Sequence, residues 1–355
     1  MNLDDIERFR QIDVSDMLGY IDALPQQLAQ AWEHARRLDL PDHFAAVRQV
    51  VLCGMGGSAI SGDLLAALVR DTCRVPLIVN REYDLPAHAA GAETLVIALS
   101  HSGGTEETIA AARQGIERGT RLLAITTGGA LAPLVEEAGG TVWRYDYRSQ
   151  PRAALGWLYG LLLGAFSRLG LTGDLSDEVQ EAVALLEKGR EALGAQRPAA
   201  LNPAKRTAGQ MVGRIPIFWG AGLLAPVARR WKTQFNENSK SAAYYEELPE
   251  LDHNSVVGLD FPQELVSKIA VIELVSERYD HPRVALRQQA SYDLLLQAGI
   301  MADRVVARGE SRLAQQMSLI QFGDYMSYYV AMAYGVDPTP VENIRWLKEK
   351  LAQSD

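Results

Sequence analysis

Short apolar segments alternate with helical patterns along most of this chain, and this alternation limits the possible fold more than any other feature. Segments of this length, rich in valine, isoleucine and leucine, are typical of buried strands. They are Val50–Cys53, Leu77–Asn80, Leu95–Leu99, Leu122–Thr126, Thr141–Tyr145, Ile215–Trp219, Ile269–Val275 and Arg304–Ala307. Strands separated by helices form parallel sheets that are covered on both faces. We therefore predict an α/β fold with a ligand at the carboxyl ends of its strands.

The length of 355 residues suits two domains better than one. We predict N-terminal helices over residues 1–48, a first α/β domain over 49–172, a helical linker over 173–203, a second α/β domain over 204–336 and a C-terminal helix over 337–355. The second domain repeats the order of elements of the first, but its glycine turn has no serines. This pattern predicts a tandem of one fold in which only the first copy binds phosphate.

The composition argues against several classes of protein and partner. Hydrophobic residues make up 48% and charged residues 22% of the chain, as in ordinary soluble globular proteins. The net charge of −9 argues against nucleic acid as a partner. The apolar segment around residues 153–170 is too short to span a bilayer, so we predict a core helix and no membrane partner. Cys53 and Cys73 show no disulfide or metal-site spacing, so we predict a cytoplasmic protein without a metal.

Glycine and serine residues follow two of the predicted strands. Gly54–Ser58 comes after the first strand, and Ser100–Thr105 comes after the third. Glycines let backbone N–H groups approach an anion, a helix N-terminus adds partial positive charge, and hydroxyl groups add neutral donors. A single loop of this kind is usually a turn with an ordinary helix cap. Two such loops on neighbouring strand ends favour a cup for one phosphate monoester.

A dinucleotide-binding loop is the alternative. Gly54, Gly56 and Ala59 match a loose Rossmann fingerprint, and Glu82 is placed to bind a ribose hydroxyl. The second loop, however, has more hydroxyl groups than a pyrophosphate at a helix N-terminus requires. We therefore favour the phosphate monoester.

The second domain contains a carboxylate in an unusual setting. Glu237 lies between two asparagines near the end of a predicted helix, Leu224–Asn238, and His253 follows sixteen residues later. Asparagine is a mediocre helix former, so this pattern indicates a positioned base, and a histidine can exchange protons near neutral pH. The alternative is a solvated helix end followed by a polar loop. Arg152 is either a surface charge at a helix start or a guanidinium that points at an anion.

Taken together, the segments GGS, SHSGGTEET, SQPRAALG, NENSKSA and LPELDHN resemble the bifunctional phosphoglucose/phosphomannose isomerases of archaea and bacteria. The resemblance extends from about Asp16 to Leu351. It implies two tandem sugar-isomerase (SIS) domains, each a doubly wound, flavodoxin-like parallel sheet, with helical N- and C-terminal extensions. The segments NEN and PE-x-x-HN are specific to that family, whereas the glycine loop is shared by all SIS domains.

The resemblance also implies roles for individual residues. Glu237 is the base that carries a proton between C2 and C1 of the sugar, and Arg152 lies beside the developing enediolate oxygen. His253 assists ring opening from the partner subunit of a homodimer, and Lys348 acts near the ring oxygen. Thr339 is the candidate for acceptance of the mannose epimer. The substrate phosphate is bound by residues of the two loops, namely Gly56, Gly57, Ser58, Ser100, Ser102 and Thr105.

The predicted function is an aldose–ketose isomerase. It interconverts glucose 6-phosphate, and mannose 6-phosphate, with fructose 6-phosphate through a cis-enediolate after ring opening. Moving a proton between adjacent carbons requires one carboxylate that reaches both, so no cofactor is expected. Two alternatives stay open: a non-catalytic phosphosugar-binding regulator, and an isomerase of another sugar phosphate. His101 stands where the family often has a tyrosine, which places a titratable ring beside the phosphate.

Overall fold

The computed structural model describes residues 2–353. Three helices precede the first strand: α1 (Ile6–Ile12), α2 (Met17–Asp22) and α3 (Leu24–Ala35). The helical pattern of residues 16–37 is therefore divided between two helices. Pro25 lies in the first turn of α3 and has no N–H group, so helical hydrogen bonding cannot run unbroken through this point.

The first α/β unit is built on a sheet of five parallel strands. Its elements are β1 (Gln49–Cys53), α4 (Gly56–Val69), β2 (Leu77–Asn80), β3 (Thr94–Ser100), α5 (Glu106–Glu117), β4 (Arg121–Thr126), α6 (Leu131–Glu137) and β5 (Thr141–Arg144). The strand order β2-β1-β3-β4-β5 is the flavodoxin-like order. Cys53 in β1 lies opposite Ala98 in β3, so the loops that leave these two strands start side by side.

Three helices connect this sheet to the second one: α7 (Leu155–Arg168), α8 (Ser176–Leu193) and α9 (Pro203–Met211). α7 is buried along almost its whole length, which confirms the predicted core helix. Glycines at every fourth position of α7 face α3, and a Cβ added to Gly164 would lie only 2.3 Å from the Cβ of Ala35. The two helices pack closely because α7 has no side chains along that line.

The second α/β unit repeats the first with one strand fewer. Its elements are β6 (Ile215–Ala221), α10 (Ala225–Asn238), β7 (Tyr244–Leu248), α11 (Gln263–Val266), β8 (Ile269–Val275), α12 (Pro282–Gln297), β9 (Met301–Val306) and α13 (Arg312–Tyr334). The strands are parallel, in the order β7-β6-β8-β9. This arrangement confirms the predicted α/β fold class with two tandem parallel sheets.

Sequence reasoning missed β7. This strand lies at the edge of the second sheet, and its sequence YYEEL leaves only Leu248 fully buried. An edge strand pairs on one side only and needs few apolar residues, so it has no apolar run to detect.

Two helices complete the chain. α13 is 23 residues long and is buried on all sides, because it packs between α8, α9 and α10. Gly335 ends it in the left-handed conformation, with a φ of +72°. The last helix, α14 (Glu342–Leu351), has no buried residue. None of the helices within residues 2–353 combines the length and apolar character needed to cross a membrane.

Candidate active site

The first glycine-rich loop, Gly54–Ser58, joins β1 to α4 at the carboxyl edge of the first sheet. Gly56 has a φ of +49°, a left-handed conformation that glycine adopts without strain. Ser58 lies in the first turn of α4 and is buried. The N-terminus of α4 therefore opens at the strand edge with Gly56 and Gly57 as its first residues, and its dipole favours an anion there.

The second loop, Ser100–Thr105, joins β3 to α5 and is held by its own hydroxyl groups. The hydroxyls of Ser100 and Thr105 are 2.8 Å apart, and the N–H of Gly103 donates to the Ser100 hydroxyl at 3.1 Å. Thr105 is the N-cap residue of α5, but its side chain makes no capping hydrogen bond. No side chain therefore competes with a ligand for the N–H groups in the first turn of α5. Ser102 is exposed at the mouth of the loop.

His101 is buried in the second loop and connects it to the end of β5. Its Nδ1 is 2.7 Å from the Tyr145 hydroxyl, and its Nε2 is 3.1 Å from the carbonyl oxygen of Ser149. A carbonyl only accepts, so Nε2 carries the proton and Nδ1 accepts from Tyr145 in the neutral ring. Burial lowers the pKa of His101 and keeps the ring neutral at pH 7. The ring thus braces the loop and presents no charge to a phosphate.

Arg152 lies in the turn that follows and is 2% exposed. Its Nε donates to Asn238 Oδ1 at 2.7 Å, and its Nη1 donates to Glu237 Oε2 at 3.2 Å. Its Nη2 donates to the carbonyl oxygens of Pro338 and Thr339 at 2.6 and 3.0 Å. Burial lowers the pKa of Arg152, and the charge of Glu237 opposes that change. Arg152 is therefore a buried, paired cation; its interpretation as a surface charge is wrong.

The Arg152 turn packs directly on the first loop. A Cβ added to Gly57 would lie 2.9 Å from the carbonyl oxygen of Pro151 and 3.2 Å from the nitrogen of Arg152. Only a glycine allows the N-terminus of α4 to approach the turn this closely. The two loops, Arg152 and Glu237 therefore share one edge of the first sheet.

Glu237 lies in the last turn of α10, with 26% of its side chain exposed. Arg152 holds its Oε2, while its Oε1 has no hydrogen-bond partner among residues 2–353. Both flanking asparagines have structural roles. Asn236 donates to the carbonyl oxygen of Ser241, and Asn238 donates to the hydroxyl of Ser327 while it accepts from Arg152. The two asparagines beside Glu237 thus hold the last turn of α10 in place through their side-chain hydrogen bonds.

A second cation near Glu237 was not predicted. Lys240 follows the end of α10 with a φ of +56°, and its Nζ donates to the carbonyl oxygens of Glu237 and Pro338. Burial, and then the charge of Arg152, lowers the pKa of Lys240 to about 8. The only available signal was its place within NENSKSA, because an isolated lysine after a helix is usually solvated.

A buried ionic network supports this arrangement from α13. The carboxylate of Asp324 accepts from Arg230 at 2.8 and 2.9 Å and from Gln234 at 2.8 Å. Arg230 also donates to the carbonyl oxygen of Arg152 at 3.1 Å. Burial raises the pKa of Asp324, and Arg230 opposes this. α10 and the Arg152 turn are therefore both anchored to the helix at the centre of the molecule.

Three predicted residues lie at or beyond the rim of this site. Thr339 adjoins Arg152, and its buried Oγ1 has no hydrogen-bond partner. Lys348 is exposed on α14 and His253 is exposed after β7. Neither forms a hydrogen bond or ion pair with Glu237 or Arg152. Within the described part of the chain, no group of three or more histidine, cysteine or acidic residues is arranged to hold a metal.

Comparison with known proteins connects this geometry to a family. The chain is 40% identical over 331 residues to the bifunctional phosphoglucose/phosphomannose isomerase of Caldicellulosiruptor bescii, covering 93% of this chain and 97% of the relative. It is 34% identical to the protein of the same name from Aquifex aeolicus, covering 88% of this chain and 93% of the relative. The chain belongs to this family.

Family models locate the two halves in the sequence. The SIS domain matches residues 43–141, and the bacterial phospho-glucose isomerase C-terminal SIS domain matches residues 200–351. A solved structure described as a glucose-6-phosphate isomerase like protein from Thermus thermophilus has a TM-score of 0.65 at 21% identity, covering 96% of this chain and 98% of that one. The predicted family resemblance is therefore confirmed, and so is the tandem SIS fold.

Proposed function

We propose that this protein is an aldose–ketose isomerase that interconverts glucose 6-phosphate and mannose 6-phosphate with fructose 6-phosphate. The observation that carries the proposal is the Glu237–Arg152 pair, 3.2 Å apart, at the strand edge where two helix N-termini open. Family membership supports it, because the relatives are named for both isomerase activities. An arrangement of one carboxylate, one guanidinium and an anion cup suits proton transfer on a phosphorylated sugar.

The substrate phosphate binds between the N-termini of α4 and α5. Ser100 Oγ accepts from Gly103 N–H and shares a hydrogen bond with the Thr105 hydroxyl; with Thr105 as the donor of that bond, the O–H of Ser100 is available for a phosphate oxygen. The N–H groups of Gly56 and Gly57 in α4 and those of the first turn of α5 complete the cup. The six loop residues proposed for this role are Gly56, Gly57, Ser58, Ser100, Ser102 and Thr105. Binding energy from the phosphate orients the carbon chain for the reaction.

Glu237 acts as the base. Its Oε1, which has no protein partner, takes the proton from C2 of the open aldose and returns it to C1, while a hydroxyl proton passes from O2 to O1. The intermediate is a cis-enediolate, in which C2 has no stereochemistry, so both epimers lead to one ketose. Arg152 and Lys240 supply positive charge where the oxygen becomes anionic.

Thr339 contacts a sugar hydroxyl. Its Oγ1 is buried beside Arg152 without a partner, and a buried hydroxyl is expected to be paired in the working complex. A hydrogen bond from the substrate would satisfy it. This supports the proposed part of Thr339 in accepting the mannose epimer.

The enzyme acts as a homodimer. α10 runs back along the sheet, so Glu237 lies at the amino ends of β6 and β7, whereas His253 follows the carboxyl end of β7. β7 alone has five residues, a length of about 17 Å. His253 therefore assists ring opening from a second copy. Four apolar residues of α14 are 42–57% exposed and suit the same dimer interface, namely Ile344, Trp346, Leu347 and Leu351. Lys348 lies on the same helix and is therefore beside that interface.

The decisive experiment compares turnover of glucose 6-phosphate, mannose 6-phosphate and glucosamine 6-phosphate. The first two should both yield fructose 6-phosphate, and the third should be inert. Saturable binding without any turnover would instead favour a phosphosugar-binding regulator. Reaction of glucosamine 6-phosphate alone would favour another isomerase.

Subunit mixing tests the interface. Glu237→Gln and His253→Ala dimers, each inactive, should regain about a quarter of wild-type activity on mixing, because half of the dimers are then mixed and each has one intact site. Failure to regain activity after demonstrated subunit exchange would place both residues in one subunit. We also propose the cytoplasm as the compartment, since both cysteines are free thiols.

A further inference from the structure

A second cleft lies on the far side of α13, beside the edge strand β9. Its walls are α8, α9, β9 and the middle of α13, and its volume is about 630 Å³. In the first sheet a fifth strand follows β4, whereas the described part of the second sheet ends at β9 and leaves this space open. The volume lies within the range of about 300–1,000 Å³ that is common for small-molecule sites.

The cleft combines an apolar floor with a cationic rim. Leu319 and Phe322 contribute to the floor, and Lys188, Arg206 and Arg308 contribute to the rim. The three rim side chains form no ion pair or side-chain hydrogen bond with any described residue. In a chain with a net charge of −9, three uncompensated cations around one apolar cleft are an unusual concentration.

The acidic residues near the rim are already engaged. Arg304, at the same strand edge, is paired with Glu273 at 2.7 Å and lies 4.2 Å from the ring of Tyr292. Asp303 also lines the cleft; its Oδ1 accepts from the backbone N–H of Arg304, it forms no ion pair with the rim cations, and its single negative charge leaves the rim positive. The rim cations therefore remain available to an external anion.

The wall of the cleft contains an unused acceptor. Gln321 is 2% exposed and donates to the carbonyl oxygen of Leu186 at 2.8 Å, but its Oε1 accepts no hydrogen bond from residues 2–353. A Cβ added to Gly189 would lie 1.9 Å from that Oε1, so the glycine leaves the space the carboxamide needs. The hydroxyl of Thr207, 8% exposed in the same wall, is also without a partner.

We propose that this cleft binds a small amphipathic anion. Its flat apolar part lies on Leu319 and Phe322, and its carboxylate, phosphate or sulfonate group meets the cations of the rim. An N–H or O–H group on its apolar part donates to Gln321 Oε1. Such a ligand gives partners to the rim cations and to the Gln321 carboxamide, whereas a purely apolar molecule would leave both without partners.

The position of the cleft connects it to the helix that carries Glu237. The rings of Phe322 and Trp231 stack with centroids 5.6 Å apart, and Trp231 Nε1 donates to the carbonyl oxygen of Leu319 at 2.8 Å. Trp231 is buried in α10, six residues before Glu237. A ligand on Leu319 and Phe322 thus contacts the packing that positions α10, so the cleft is suited to an effector.

The test is an equilibrium titration of the full-length protein with 8-anilinonaphthalene-1-sulfonate, which has an aromatic body, a sulfonate and an N–H donor. We expect saturable binding to one site that fructose 6-phosphate does not displace. The double variant Lys188→Glu/Arg206→Glu should weaken this binding by about tenfold or more, because opposite charges are replaced by like charges. Both side chains are exposed, so turnover of the sugar phosphate, measured in parallel, should be unchanged.

The charge control is Arg113→Glu, a single reversal compared with the two in the double variant. Arg113 is exposed on α5 without a partner, and its reversal changes the net charge without touching the cleft. Unchanged affinity in the double variant, or displacement of the probe by fructose 6-phosphate, would overturn the proposal. Binding of a hexaglutamate peptide in place of the probe would overturn it as well, since the rim would then serve an extended acidic chain.

Discussion

Replacement of Glu237 by glutamine isolates its proton transfer from its contribution to the fold. In the wild type, Arg152 Nη1 donates to Glu237 Oε2 at 3.2 Å. Glutamine has the same shape as glutamate, and its carbonyl oxygen can still accept this hydrogen bond. The other hydrogen bonds of Arg152, to Asn238, Pro338 and Thr339, do not involve this carboxylate. The Gln side chain keeps the hydrogen bond from Nη1 but removes the counter-charge of Arg152, which is 2% exposed, so we expect a loss of about 1–3 kcal/mol in the free energy of unfolding.

The effect on turnover should be much larger. An amide cannot take the proton from C2, and loss of general base catalysis lowers kcat by about 10²–10⁴-fold, or roughly 3–5 kcal/mol of activation free energy. KM should change little, because the phosphate is bound by loops of the other domain. A direct assay is solvent exchange of the C1 proton of fructose 6-phosphate in D₂O, followed by NMR, beside a coupled assay of turnover.

The matched control is Glu264→Gln, an exposed glutamate on α11 whose side chain has no partner among the described residues. It removes the same charge and should leave both rates unchanged. If the folded Glu237→Gln variant exchanged the C1 proton at a rate near that of the wild type, Glu237 could not be the base, and the assignment would fail.

Four other substitutions test the surrounding structure. Gly57→Ala should lower kcat/KM by about tenfold or more, because the added Cβ would push on the Arg152 turn. Gly209→Ala lies in a helix with open space around it and should stabilise the protein by about 0.5–1 kcal/mol. Steady-state kinetics and thermal unfolding of both variants test these expectations. His101→Phe removes two buried hydrogen bonds and should destabilise by about 1–3 kcal/mol, with a higher KM and a smaller change in kcat. Burial raises the pKa of Glu273 from 4.5 to about 7, so the folded state binds more protons than the unfolded state between these pH values. The unfolding free energy of the wild type, relative to that of Glu273→Gln, should therefore fall by roughly 3 kcal/mol as pH rises from about 4.5 to about 7.5. A difference in urea titrations that does not change with pH would contradict this.

Local patterns were sufficient to predict the sheets and the neighbouring positions of the two glycine- and serine-rich loops. Buried parallel strands such as β3 require continuous apolar residues, and these are visible without any tertiary information. The closeness of the two loops was predictable for a similar reason, since β1 and β3 are adjacent parallel strands and their carboxyl ends lie at one edge. Ser100 and Thr105 lie five residues apart, so their contact is almost local.

The contacts that make the site a reaction centre are not local. Arg152 reaches Glu237 across 85 residues and Pro338 across 186, and no periodicity in the sequence relates these positions. Burial of Arg152 could not be read from its neighbours, because an arginine at a helix start is normally solvated. The same holds for Lys240, whose pKa depends on Arg152 arriving from another domain.

The hydrogen bonds of Arg152 connect the two α/β units at the candidate site. It belongs to the turn that supports the phosphate loops, yet its side-chain hydrogen bonds go to α10 and to the segment that leads into α14. A buried guanidinium is tolerated only when its donors are matched, so folding fixes the distance between the anion cup and the Glu237 carboxylate. In the proposed reaction, the pairing that stabilises this junction also sets the reach from a bound phosphate to the carbons that exchange a proton. Catalytic geometry in this enzyme is consequently a property of the domain interface, and substitutions that loosen the interface should impair turnover before they impair phosphate binding.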